Sequence, residues 1–167
     1  MGYRNKNRGY QQLTVWSEAI SYYADTYRMF RTLPYELRRV VSQQMASVDS
    51  IHRNIAEGYC RRGLKEYVHF LYIALSSLGE SVSGICATRV AGQLSAADAE
   101  SLDRMAFKLE NGMLKLIESL ESKQERGDWI DHLVLRESNE TYETAAQPPH
   151  PNTPSRQHPT PAEVHSP

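Results

Sequence analysis

The sequence predicts an all-α fold, an antiparallel up-down-up-down four-helix bundle followed by a disordered C-terminal tail. Three observations carry that expectation. Four stretches place apolar residues three and four apart, the repeat of an amphipathic helix, and none alternates as a strand does. Pro34, Gly58, Gly92 and Gly127 fall between or after those stretches, where helices start and stop. Seven of the 8 prolines lie between Pro148 and Pro167, in a segment nearly devoid of bulky apolar side chains. A chain of 167 residues suits one domain with a real core. The expected division is an N-terminal arm (1–12), the bundle (13–126), a short amphipathic segment (127–138) and the tail (139–167).

Helix one is expected from Thr14 to Leu33, with Trp16, Ile20, Tyr23, Tyr27 and Phe30 as its buried seam. Pro34 lacks an amide hydrogen but fits a first helical turn, so helix two runs from Tyr35 to about Glu57 with Val41, Met45, Val48, Ile51 and Ile55 inward. Gly58 stands where a left-handed cap would end it. After a short connection through Arg61, Arg62 and Gly63, helix three extends from Leu64 to about Ala91 as the longest of the four. Tyr67, Phe70, Leu71, Ala74, Leu78, Val82 and Ile85 share one face of it, and Gly92 stops it. Ser95 caps helix four, with Asp98 favouring its positive start. Leu102, Met105, Leu109, Met113, Leu116 and Leu120 point inward, and Gly127 ends the helix at the latest. In the following segment Trp129, Ile130, Leu133 and Val134 either pack back on the bundle or form a contact surface. The tail cannot bury enough surface to offset the entropy of ordering it, and its His150, His158 and His165 lack the fixed geometry of a metal site.

Composition excludes several function classes. Lys and Arg number 19 against 20 acidic residues, so the net charge of -1 does not mark a nucleic-acid binder as a whole, and only a local patch would. The 2 cysteines, Cys60 and Cys86, form no pairwise motif and are expected to be reduced thiols of the core or an interface. No apolar leader follows Met1, and no stretch approaches the roughly twenty apolar residues of a membrane span, so a cytoplasmic protein without a membrane partner is expected.

Candidate chemistry is sparse. Glu66 with His69, and Asp49 with His52, have the carboxylate–histidine spacing of di-metal bundles. Glu66 and His69, however, fall on the flank or outside of helix three, so neither metal nor cofactor is expected. No phosphate loop, zinc-type cysteine pairing or nucleophile elbow is present, and no enzymatic activity is expected. Two surfaces stand out instead. At about 100° per residue, Tyr72, Ser76, Gly79, Ser83 and Val90 cluster opposite the core face of helix three. That face is small or apolar where a surface helix carries Lys and Glu, and Gly79 in a helix interior costs about 1 kcal/mol relative to Ala. A subunit interface is the reading adopted, against a neutral solvent face. Arg53, Arg61, Arg62 and Lys65 gather at the turn between helices two and three, with Arg38 and Arg39 earlier on helix two. These cations either hold phosphates, multiplied by a symmetric oligomer, or satisfy helix ends and screen Glu57 and Glu66. The residues alone leave both readings open.

The run Ser50-Ile51-His52-Arg53-Asn54-Ile55-Ala56-Glu57-Gly58, with Arg62, Lys65-Glu66-Tyr67 and His69 through Glu80, resembles the four-helix bundle family of 23S rRNA intervening-sequence proteins. Leu13-Thr14-Val15-Trp16 looks like that family's opening motif, so the resemblance spans about Leu13 to Leu120. It implies a homopentameric antiparallel bundle without a known reaction, associated with RNA or the ribosome. A relation to accessory proteins of diversity-generating retroelements implies a reverse transcriptase or nucleic acid as partner. Two positions depart from the pattern. Met45 and Ala46 replace a basic pair, weakening the nucleic-acid implication, and Gly63 replaces a serine cap. Asn54, Glu57 and Gly58 match the motif and are assigned to the inter-helix turn and subunit packing. The resulting expectation is a non-enzymatic oligomer binding RNA or a ribonucleoprotein, with a protein-binding adaptor as the competing reading.

Overall fold

The computed structural model describes residues 9–61 and 63–127. Expectations for the first eight residues, for Arg62, for the tail and for all but the first residue of the amphipathic segment lie outside the described residues. Four helices make up the structure: α1 (Thr14–Phe30), α2 (Arg38–Tyr59), α3 (Leu64–Val90) and α4 (Ala96–Glu125). Single 3-10 turns at Gly9–Gln12 and Tyr35–Leu37 precede α1 and α2. Among the described residues there is no strand. Helix ends follow the local chemistry. Ser95 Oγ accepts the Asp98 amide at the start of α4, while Gly92 and Gly127 take positive φ (70° and 68°) just beyond α3 and α4. Gly63 precedes α3 without a side-chain cap.

Each helix packs on its neighbours in sequence, and α4 returns against α1, with the α2–α3 seam the most extensive. Contacting residues run in opposite order along neighbours, as antiparallel packing requires. Gln44, Ser50 and Gly58 of α2 meet Ser81, Ser77 and Phe70 of α3 in turn. Val15 and Glu18 of α1 meet Gly112 and Lys108 of α4.

The core confirms the expected faces of α3 and corrects α1. Leu71, Ala74, Leu78 and Ile85 are buried as read, with Tyr67, but Phe70 and Val82 are only half-buried. The α1 seam is rotated by about one residue: Val15, Ala19, Tyr22, Thr26 and Phe30 are buried. Trp16, Ile20 and Tyr23 sit on the flank, and Tyr27 is exposed. Small Ala19 lets the helices close, and Tyr22 reaches the centre, where its hydroxyl meets Ser81 Oγ at 2.8 Å. The larger rings cover the seam's edge, Trp16 against Tyr10 and Tyr23 against His52. In α2, Val48, Ile51 and Ile55 are buried as expected, whereas Val41 and Met45 are half-buried and Gln44 and Ser47 take core positions. In α4, Leu102, Leu109, Met113 and Leu120 are buried, while Met105 and Leu116 yield to Ala99, Ala106 and Ile117. At 30 residues α4 is longer than α3, which has 27.

A polar layer crosses this core. Gln44 donates through Nε2 to Ser81 Oγ at 2.8 Å and to the Ser81 carbonyl at 3.2 Å, joining α2 to the Tyr22–Ser81 pair. Burial pushes the Tyr22 phenol up to about 12, against the opposing pull of its hydrogen bond to Ser81. Farther along the same seam, Ser50 and Ser77 meet at 2.8 Å and Asn54 donates to Ser50. A slip of register would leave these buried groups unpaired, so the layer sets how α2 and α3 align.

Gly58 corrects the expected cap. It lies within α2, and positive φ occurs only at Gly92 and Gly127 among the described glycines. Its role is close approach: a Cβ there would lie 2.7 Å from Phe70 Cβ and 3.2 Å from the Tyr67 carbonyl oxygen. The helix runs past Glu57 to Tyr59. Accordingly, Gly58→Ala lowers unfolding free energy by about 1–3 kcal/mol in denaturant titration, although alanine is the better helix former. A neutral or stabilising result contradicts the packing described. Leu71→Ala, at a fully buried site, costs about 2–5 kcal/mol in the same assay, and a loss below about 0.5 kcal/mol refutes the facing of α3.

Candidate interaction surfaces

The outer face of α3 is the first candidate. Tyr72, Ser76, Gly79, Ser83 and Val90 are all exposed, and Val90 is 87 % so. From Tyr72 to Val90 the exposed positions are these with Glu80, Cys86, Ala87 and Arg89, so two charges interrupt them, one of them at the end of the helix. Nothing lies within 4 Å of where a Gly79 Cβ would stand. The sequence reading undercounted this helix, since α3 is long and apolar enough to cross a membrane by length and composition. Only 33 % of that apolar stretch is buried within the chain. At one margin of the face Tyr72 donates to Glu121 of α4 at 3.1 Å, and that hydrogen bond raises its phenol pKa.

The cations do not form the single patch their spacing suggested. Arg38 and Arg39 open α2, while Arg53, Arg61 and Lys65 lie at the other end of the bundle. Fifteen helical residues separate Arg38 from Arg53, or about 22 Å of rise. Arg53 pairs with Asp49, and Arg61 pairs with Glu57 while its guanidinium lies 4.6 Å from the Phe70 ring centroid. Arg38 instead rests 4.7 Å from the centroid of Tyr35. Sequence reasoning passed over Tyr35 and the arginines of the same end, Arg31 and Arg89, because they lie on three different elements.

Neither carboxylate–histidine pair is part of a larger cluster. Glu66 and His69 are exposed, and Asp49 is shared between Arg53 and His52 Nε2 at 3.1 Å. Among the described residues no three His, Cys, Asp or Glu side chains come together to hold a metal. Both cysteines are exposed rather than buried in the core.

A profile of the 23S rRNA-intervening sequence protein family matches residues 11–115. The chain belongs to that family. Among curated proteins, no sequence matches it closely enough to count as a relative. Within this intervening-sequence protein, Ser50, Asn54 and Gly58 build the α2–α3 seam, through the Ser50–Ser77 bond, the Asn54–Ser50 bond and the glycine contact. Glu57 is half-exposed and holds Arg61. The motif therefore reads as packing between helices, one layer deeper than the turn expected from sequence. The family match ends ten residues before the end of α4.

His52 provides a pH test of that seam. Burial under the Tyr23 ring lowers its pKa below 6.5, with Asp49 opposing the shift. The folded chain thus binds fewer protons here than the unfolded chain, and stability falls as pH drops through 6.5 toward the folded value. His52→Gln flattens that part of the stability–pH profile. An unchanged slope contradicts a buried neutral imidazole.

Proposed function

We propose that the protein works without catalysis, as a homo-oligomeric helical bundle whose repeated arginine-bearing ends bind RNA or a ribonucleoprotein. The observation that carries the reading is the outer face of α3, where Tyr72, Ser76, Gly79, Ser83, Cys86, Ala87 and Val90 are exposed on a helix long and apolar enough to cross a membrane. Uncharged small residues let a second helix approach closely, so a copy of the same face is the natural cover. Five subunits are what the resemblance implies. Assembly multiplies each cluster of exposed cations, which turns a modest patch into a polyvalent surface despite a net charge of -1. The family's tie to an intervening sequence of 23S rRNA supports RNA as the ligand class. Phosphate contacts suit the arginines, since guanidinium groups hold phosphate oxygens without reading sequence.

A protein-binding adaptor, for instance an accessory subunit of a reverse transcriptase, is the second reading. It is favoured by the paired state of Arg53 and Arg61, which leaves less charge for phosphates. Salt separates the two. RNA affinity falling steeply between low and moderate salt supports phosphate binding, and a flat response favours the adaptor. For assembly, Gly79→Arg yields smaller particles in light scattering while helicity is kept. An unchanged mass moves the interface elsewhere.

A further inference from the structure

The two ends of the bundle carry acids and bases alike, Lys115 and Lys123 at one and Glu36 and Asp98 at the other included, but they differ in how their arginines are paired. At the end where α2 meets α3, Arg53 and Arg61 are neutralised by Asp49 and Glu57, and α4 arrives with Glu118, Glu121 and Glu125. At the opposite end α1 is capped by Arg31, α2 begins with Arg38 and Arg39, and Arg89 lies in the last turn of α3. Val40 and Gln43 of α2 line one groove with Ala87 and Ala91 of α3, which sets the start of one beside the end of the other. All four arginines are exposed, and none has an ion-pair partner among the described residues.

Stability explains only half of this cluster. Arg31 and Arg89 lie at helix C-termini, where a cation offsets the macrodipole. Arg38 and Arg39 lie at a helix start, where the dipole is already positive, and α2 has no acidic residue in its first turn. The nearest acid in sequence, Glu36 of the preceding 3-10 turn, makes no ion pair with either among the described residues. Beside them Tyr35 is 75 % exposed, with the Arg38 guanidinium stacked on its ring, and Tyr27 at the end of α1 is 49 % exposed. Exposed rings among unpaired arginines are what an unpaired base and its flanking phosphates need: a π-face to stack on and cations spaced around it. A duplex, whose bases are already stacked on one another, could use the cations but not the ring.

We infer that this end of the bundle binds single-stranded RNA, its phosphates on Arg31, Arg38, Arg39 and Arg89 and one base stacked on Tyr35. The inference rests on the RNA reading above and narrows it to one end and one strand state. It is tested by fluorescence anisotropy on the full-length protein, with a short labelled RNA of mixed sequence offered as a single strand or annealed to its complement. The single strand binds more tightly. Arg38→Glu with Arg39→Glu weakens it by about tenfold or more. Tyr35→Ala weakens the single strand by about tenfold and leaves the duplex unchanged, and Tyr35→Trp restores binding. Arg53→Glu with Lys65→Glu, at the other end, changes affinity by less than about twofold. If RNA binds but the loss follows Arg53 and Lys65, or if single strand and duplex bind alike, the inference is overturned and the RNA reading stands. If the unaltered protein binds neither, both fall. Circular dichroism confirms that each variant is folded.

Discussion

A helix that is apolar on two sides has to be covered on two sides. α3 is that helix, and the rest of the molecule is arranged around the requirement. Its inner face, with Leu71, Ala74, Leu78 and Ile85 at its centre, receives α2 and α4 and anchors the core. The outer face, from Tyr72 to Val90, stays exposed in the single chain and meets it only at its margin, where Tyr72 bonds Glu121. Burial of apolar surface is the dominant favourable term in both folding and association, so the force that closes the bundle also favours joining one bundle to another.

The inner side shows how tightly the first requirement is met. Gly58 removes a side chain where α2 and α3 are closest, and Gln44, Ser81 and Tyr22 satisfy one another where the core is polar. Such a layer contributes little net stability but penalises every misaligned packing. A well-registered α2–α3 pair in turn holds the outer face of α3 in a fixed orientation. The repeating interface proposed for that face would need such rigidity, because each subunit must present the same surface at the same angle.

Much of this was legible in the chain. The four helices, the Gly92 and Gly127 stops and the Ser95 cap follow from local chemistry, and the inner face of α3 followed from spacing because its large residues are also its buried ones. α1 shows where that logic fails. Three of its bulky residues, Trp16, Tyr23 and Tyr27, are amphipathic rings at or beyond a seam's edge, while small Ala19 and polar Thr26 join Tyr22 at the centre. Size ranked them in the wrong order. Gly58 misled for a related reason, since a glycine near a helix end serves either backbone conformation or close approach, and only the partner helix distinguishes them. The cations were hardest to read. Residues close in sequence, Arg53 and Arg61, turned out to be paired with their own helix's acids, whereas the unpaired set was assembled by the fold from α1, α2 and α3.

The central proposal is that the outer face of α3 is covered by a copy of itself, and the two cysteines report on it directly. Cys86 lies on that face and Cys60 lies just past the end of α2, and both are exposed in the single chain. Thiol labelling of the native protein, followed over time by mass spectrometry, compares the two within one molecule. The account predicts fast modification of Cys60, slow modification of Cys86, and equal rates once the protein is unfolded. Native labelling of Cys86 as fast as that of Cys60 would contradict it.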